Sequence, residues 1–243
     1  MPQRLRWRVA RGVEVRASFT DRTDGDLAIG VDPDVLETRR AAVAPTPWTW
    51  LEQVHGAEVV VVRHPGDRAG EHADAAVTDV AGATLAVQVA DCAPVLLFSP
   101  GPLGAVVGAA HAGWRGLVAG VLPATVEAMR RLGATDIGWA LGPCVSPAAY
   151  EFSGPDLDRL ARRLGDAVRG VTFGGAPALD VAAAVRSSLA EAGVGSPPHG
   201  PPPPCTATSA RHWSHRAAAD SARQAGVIWW QCAGADGEGM DGW

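Results

Sequence analysis

The most apolar part of the chain, residues 80–112, is interrupted twice, by Asp91 and by Ser99-Pro-Gly-Pro102. Those interruptions constrain the fold more than any other feature. A helix that crosses a bilayer needs about 20 consecutive apolar residues, so this stretch is not a membrane span. What remains is a set of strand-length pieces, 85–90, 94–98 and 104–110. The first two, on either side of Asp91-Cys92, read as two short buried strands or as one interrupted strand. The third carries no charge and is rich in small and β-branched residues, the pattern of a strand covered on both faces. His111 follows it directly and leads into Ala112-Gly-Trp-Arg-Gly116. A histidine where a buried strand meets a glycine-bearing turn occupies a place where rigid scaffolds often present site residues.

Further elements surround this centre. Residues 57–63 are β-branched enough for a strand. Residues 117–132 look helical, with Pro123 marking a possible first turn. In 156–168, Leu157, Leu160, Leu164 and Val168 share one helical face, and 178–192 forms another helix ended by Gly193. The proline-rich 196–204 predicts a stiff extended connection, and 225–231 a last buried strand. The tail from Gly234, rich in glycine and aspartate, is expected to fray. No repeat or linker divides residues 50–150. These elements describe a mixed α/β (α+β) chain, one domain over residues 1–243, of packed mixed β-sheets flanked by helices.

The chain is 47% hydrophobic and 19% charged, enough apolar material for a sizeable core. Its net charge of −5 lacks the basic footprint of a nucleic-acid binder. The start is basic but has no apolar signal core or small-residue cleavage site. A soluble cytoplasmic protein with neither nucleic-acid nor membrane partners is therefore expected. Cys92, Cys144, Cys205 and Cys232 are widely spread, with no CxxC pair. In a reducing compartment they read as thiols or metal ligands rather than disulfides.

Two of the other side chains complement His111. His55 precedes Gly56 beside the 57–63 strand, and Cys92 lies between two apolar segments. One thiolate and two imidazoles suit Zn²⁺, and three protein ligands would leave a fourth position for water or substrate. A buried free cysteine and two structural histidines are the alternative on spacing alone.

Six segments occur in the order of one known family: Gln53-Val-His-Gly56, Ala73-Asp-Ala-Ala-Val-Thr-Asp79, Ala90-Asp-Cys-Ala-Pro94, His111-Ala-Gly-Trp-Arg-Gly116, Leu141-Gly-Pro-Cys-Val-Ser-Pro-Ala-Ala-Tyr-Glu151 and Arg223-Gln-Ala-Gly-Val-Ile-Trp229. The chain resembles the bacterial laccase-domain family, also called multicopper polyphenol oxidoreductase or purine nucleoside phosphorylase, the peptidoglycan-editing-factor group. The resemblance implies a domain of mixed sheets and helices with a His, Cys, His metal site that maps to His55, Cys92 and His111. The chain departs from the family pattern at Thr20-Asp-Arg22, Asp26-Leu-Ala28 and Thr38-Arg39. It departs again at Ala148-Ala149, at Cys205-Thr206 and at Arg216-Ala-Ala-Ala219. These changes leave the ligand set intact and fall on the terminal blocks that would contact substrate.

The resemblance also implies phosphorolysis of purine nucleosides, including methylthioadenosine, and deamination of adenosine. The partners are then a small purine nucleoside and phosphate, and the protein a monomer or small homo-oligomer. Arg115, four residues after His111, is a candidate for gripping phosphate with its planar fork, or a surface arginine. Asp91 is a candidate catalytic group, as proton carrier or as orienter of a ligand, or a turn cap. Trp114 either stacks on a purine or packs in the core, and Cys144 is a further candidate near substrate. The laccase label implies copper oxidation of phenols instead. With seven histidines in all, and Met1, Met129 and Met240 outside every motif, the chain is poor in ligands for a multicopper or blue-copper site. A metal-free Cys92–His111 hydrolase dyad and a non-catalytic envelope-editing or binding role are the other readings.

Overall fold

A computed structural model describes residues 2–232; the tail expected to fray lies outside them. The chain begins with a hairpin, β1 (Gln3–Ala10) and β2 (Val13–Phe19), followed by α1 (Pro33–Val43). Short strands β3 (Trp48–Thr49), β4 (Leu51–Glu52), β5 (Val59–Val61), β6 (Glu71–His72) and β7 (Ala75–Thr78) lead to three central strands, β8 (Thr84–Val89), β9 (Ala93–Gly101) and β10 (Gly104–Ala112). Then come α2 (Trp114–Ala119), α3 (Val121–Arg131), β11 (Gly138–Leu141), α4 (Gly154–Leu164), the pair β12 (Arg169–Val171) and β13 (Pro177–Leu179), α5 (Val181–Glu191), α6 (His215–Ala218) and β14 (Gln224–Cys232).

The described residues build two five-stranded sheets, ordered β1-β2-β14-β8-β3 and β11-β9-β10-β7-β5. In each, the last strand named runs parallel to its neighbour and the other pairs are antiparallel. Strand alternation sorts the side chains into three apolar layers. Val15, Ala17, Leu85, Val87 and Ile228 of the first sheet meet Leu96, Phe98, Val107 and Ala109 of the second. The outer face of the second sheet, with Val95, Leu97, Val106 and Ala110, is covered by α3, α4 and α5. The outer face of the first, with Ala86, Val227 and Trp229, is covered by Leu36 and Val43 of α1. The result is helix, sheet, sheet, helix, which explains why β8, β9 and β10 are apolar over most of their length: each is buried on both sides.

The mixed α/β class and the sheets flanked by helices are as expected, and several boundaries differ. The helix read over 117–132 starts earlier and is broken: α2 begins at Trp114 and ends at Gly120, whose φ of 91° stops it and launches α3. Pro123 is the third residue of α3, where its missing N–H has no intrahelical partner to lose. The helix read over 156–168 ends at Leu164 because Gly165 has φ of 89°, and Val168 is buried from a short 3₁₀ turn instead. Ala178 and Leu179 belong to β13; α5 starts after Asp180, whose carboxylate accepts from the Ala183 N–H. The basic start is strand β1, with Arg4, Arg6 and Arg8 outward and Leu5, Trp7 and Val9 inward. Arginines on an edge strand discourage pairing with another chain. No described helix is long and apolar enough to cross a membrane.

Candidate metal centre and cavity

The site forms where the chain crosses between sheets. Strand β8 belongs to the first sheet and β9 to the second, so the turn Ala90-Asp91-Cys92 is the crossover itself. His111 stands opposite Pro94 near the end of β10, beside that turn. His55 comes from the loop between β4 and β5. The ligating atoms of His55, Cys92 and His111 all lie within 4.8 Å of one another, with Cys92 Sγ 3.9 Å from His55 Nε2. A tetrahedral zinc with bonds of about 2.0–2.3 Å would want its ligands about 3.3–3.8 Å apart, so a small inward movement completes the set.

Asp74, just before β7, organises the centre. Its carboxylate is fully buried. Oδ1 is 2.8 Å from His111 Nδ1 and accepts from the His55 N–H at 3.0 Å, while Oδ2 accepts from the Gly56 N–H at 2.6 Å and the Val54 N–H at 3.3 Å. The backbone carbonyl of Asp74 also accepts from the His111 N–H at 2.7 Å. One carboxylate thus fixes the ring of one histidine and the loop of the other. It leaves Nε2 as the His111 atom that a metal could take, and a carboxylate behind a histidine is the arrangement that tunes metal ligands. His55 has φ of 60°, a left-handed conformation uncommon outside glycine, and these bonds hold it there.

Without a metal, the electrostatics make Cys92 and His111 a thiolate–imidazolium pair, whose His111 proton a metal would displace on binding. Burial opposes ionisation of Cys92, yet the adjoining His111 charge and hydrogen bonds from His111 and His55 bring its thiol down to about 6. Burial likewise opposes charge on His111, but Cys92 and Asp74 raise it to about 9. Burial also disfavours the Asp74 carboxylate, and His111 with the Gly56 and His55 N–H groups holds it below the ordinary range. The thiolate, the form that ligates metal, is therefore favoured near neutrality.

Both glycines of the His111–Gly116 segment have a spatial reason. A Cβ on Gly113 would lie 2.7 Å from His55 Cδ2 and 3.2 Å from Cys92 Sγ, and one on Gly116 would lie 3.0 Å from the Gly56 carbonyl.

The triad opens into a cavity of about 620 Å³, within the usual range of about 300–1,000 Å³ for small-molecule sites. Ile29, Leu51, Gln53, Gln88, Arg115, His215 and Arg223 line it with the three ligands, and no described carboxylate does. Arg115 thus reaches the cavity. Trp114 does not line it: its ring packs edge-on against Phe152 at 5.4 Å and lies 4.6 Å from the Arg115 guanidinium. Cys144 is buried behind the site, its carbonyl accepting from the Thr206 N–H, and burial pushes its thiol up to about 12. Asp91, with φ of 95°, accepts from Thr206 Oγ1 at 2.6 Å, Ser214 Oγ at 2.7 Å and the Arg216 N–H at 2.6 Å. It ties the 205–216 segment to the turn that carries Cys92.

Sequence reasoning assigned no role to Asp74, Gln53, Gln88, His215 or Arg223. An aspartate inside the otherwise apolar Ala73–Val77 stretch was the available signal, because a buried carboxylate needs several donors.

The model of the multi-copper polyphenol oxidoreductase laccase family matches residues 22–231. A Streptomyces coelicolor protein named purine nucleoside phosphorylase is 41% identical over 231 residues, covering 87% of this chain and 93% of its own. One of the same name from Mycobacterium tuberculosis is 33% identical over 91% of this chain and 96% of its own. Among solved structures, a Neisseria meningitidis protein superposes with a TM-score of 0.74 at 28% identity, over 95% of this chain and 99% of that one. YlmD from Geobacillus stearothermophilus gives 0.73 at 28% identity, over 90% and 92%. The matched residues 22–231 and the relatives' identity show that the chain belongs to the multi-copper polyphenol oxidoreductase laccase family.

Proposed function

We propose that this protein is a zinc-dependent, cytoplasmic purine nucleoside phosphorylase that also deaminates adenosine and accepts methylthioadenosine. The observation that carries the reading is the cavity's charge. In a chain of net charge −5, the space beside the ligand triad is lined by Arg115, Arg223 and His215 and by no described carboxylate. That lining selects an anion. In phosphorolysis a phosphate oxygen bonds to C1′ as the C1′–N9 bond breaks, giving ribose 1-phosphate and free base. Arg115 holds the phosphate, and Arg223, whose Nη1 is fixed by the carbonyls of Asp220, Ser221 and Ala222, adds its positive charge. Trp114 acts through Arg115, over whose guanidinium its ring lies, and Asp91 acts by fixing the Cys92 turn and the 205–216 segment. Cys144 supports that segment from behind. His55, Cys92 and His111 would hold the zinc, which when bound lowers the pKa of its water to about 7 for attack on an adenine ring.

Two donor-set features favour zinc over copper oxidation. Among the described residues, His55, Cys92 and His111 are the group able to hold a metal, too few for a multicopper cluster. Met129, the described methionine, is buried in the core rather than placed as an axial ligand. Zinc-loaded, copper-free protein is expected to convert adenosine in phosphate to adenine and ribose 1-phosphate, with inosine as the deamination product. Removing dioxygen should change neither rate. Oxygen-dependent phenol oxidation that tracks bound copper, without nucleoside products, would overturn the proposal.

Arg115→Lys keeps the charge and loses the planar fork. The KM for phosphate is expected to rise about tenfold with the KM for nucleoside little changed. An unaltered phosphate dependence in the folded variant would make Arg115 a surface residue.

A further inference from the structure

Gln88 carries a buried amide nitrogen that nothing among the described residues completes. It sits on β8, only 7% exposed, lines the cavity, and its buried Nε2 has no hydrogen-bond partner among the described residues. Its backbone, by contrast, is fully engaged. Gln53 Nε2 donates to the Gln88 carbonyl at 2.7 Å, and the Gln88 N–H donates to Gln53 Oε1 at 2.8 Å. Gln53 therefore continues the sheet's hydrogen bonding at this point and holds the Gln88 side chain towards the cavity. Buried amides normally find partners, and an unmatched one in a ligand cavity marks a place where the ligand supplies them.

Resting on the nucleoside reading above, we infer that Gln88 reads the N6/N7 edge of the purine and favours 6-amino over 6-oxo bases. A carboxamide presents one acceptor and two donors in a plane. An adenine edge offers an N6 donor and an N7 acceptor, which match both ends of the amide at once. A hypoxanthine or guanine edge offers two acceptors, so one end of the amide is satisfied and Oε1 faces an oxygen. Ile29 and Leu51 supply apolar contact for the ring, while Arg115 is left to the phosphate.

Gln88→Met keeps the length and volume of the side chain, leaves the Gln53 bonds to the backbone in place, and removes the amide. The experiment measures kcat/KM for adenosine and inosine with phosphate. It also measures calorimetric binding of free adenine and hypoxanthine, on zinc-loaded wild-type and variant protein of equal metal content. The wild type is expected to prefer adenosine. The variant should lose about tenfold or more in kcat/KM for adenosine and less than about threefold for inosine, with phosphate KM unchanged. Equal losses for both nucleosides, or an unchanged ratio, would overturn the role of Gln88. If the wild type turned over no purine nucleoside, the reading beneath would fall, and base binding would decide alone. A preference for adenine that disappears in the variant upholds the inference; no preference in the wild type, or one retained by the variant, sinks it.

Discussion

Cys92→Ala, His55→Ala and His111→Ala are each expected to remove most bound zinc and to lower nucleoside turnover by about a thousandfold or more, while the fold persists. Three protein ligands are near the minimum for tight binding, and alanine replaces a ligand with nothing. His55 is the decisive member of the set. It is exposed and lies on a loop, so its loss creates no core cavity, and a Cys92–His111 dyad acting alone would not need it. Metal quantification and single-turnover assays on all three variants give the answer. Full zinc occupancy throughout would refute the ligand assignment, and turnover retained in a metal-free His55→Ala protein would favour the dyad.

The second large effect is expected at Asp74. Asp74→Ala deletes the acceptor of three backbone N–H groups and the partner of the His111 ring at one stroke. Removing one member of such a buried charged network costs about 3–5 kcal/mol, which for a chain of this size lowers Tm by about 10 °C. Asp74→Asn keeps the shape and much of the packing, so its cost in stability is smaller. Its amide still lacks the charge that would strengthen His111 as a ligand, and zinc affinity is expected to fall by about 10–100-fold. Calorimetry and competitive chelation separate the two effects. Wild-type affinity in the asparagine variant would show that Asp74 only shapes the loop.

The central architecture was legible because burial on both faces leaves a strong mark. Strands β8 to β10 are apolar over most of their length, and the break at Asp91 is a turn; the second break is shorter than its residues suggest, because β9 runs on through Pro100 and Gly101 and only Pro102-Leu103 turn. The helix boundaries were less legible for a local reason. Gly120 ends a helix and starts another without interrupting the apolar spacing across Leu117, Val121 and Leu122, so periodicity runs through the break. Ala178-Leu179 fits the buried face of α5 in composition but pairs with Arg169 and Gly170 across a hairpin, a contact that no local pattern records. The candidate ligands could be named from residue type and family pattern. Their supporting groups could not, because the bonds of Asp74 to residues 54–56 and of Asp91 to residues 206–216 exist only once distant segments meet. Gln88 carries the same lesson: within an apolar strand its residue type stands out, but its missing partner is a fact of three dimensions.

The place of β14 has a consequence for biosynthesis. This late strand fills the slot between β2 and β8, pairing with both. While the ribosome is still producing residues 224–232, the N-terminal hairpin and β8 have each been made and each shows an unpaired strand edge to the cell. The second sheet needs nothing beyond Leu141 and can form first. Arg223, the cavity-lining cation just before β14, arrives with the strand that closes the gap. A nascent or truncated chain that stops short of this strand therefore combines exposed sheet edges with an incomplete cavity, the kind of surface that chaperones and proteases act on.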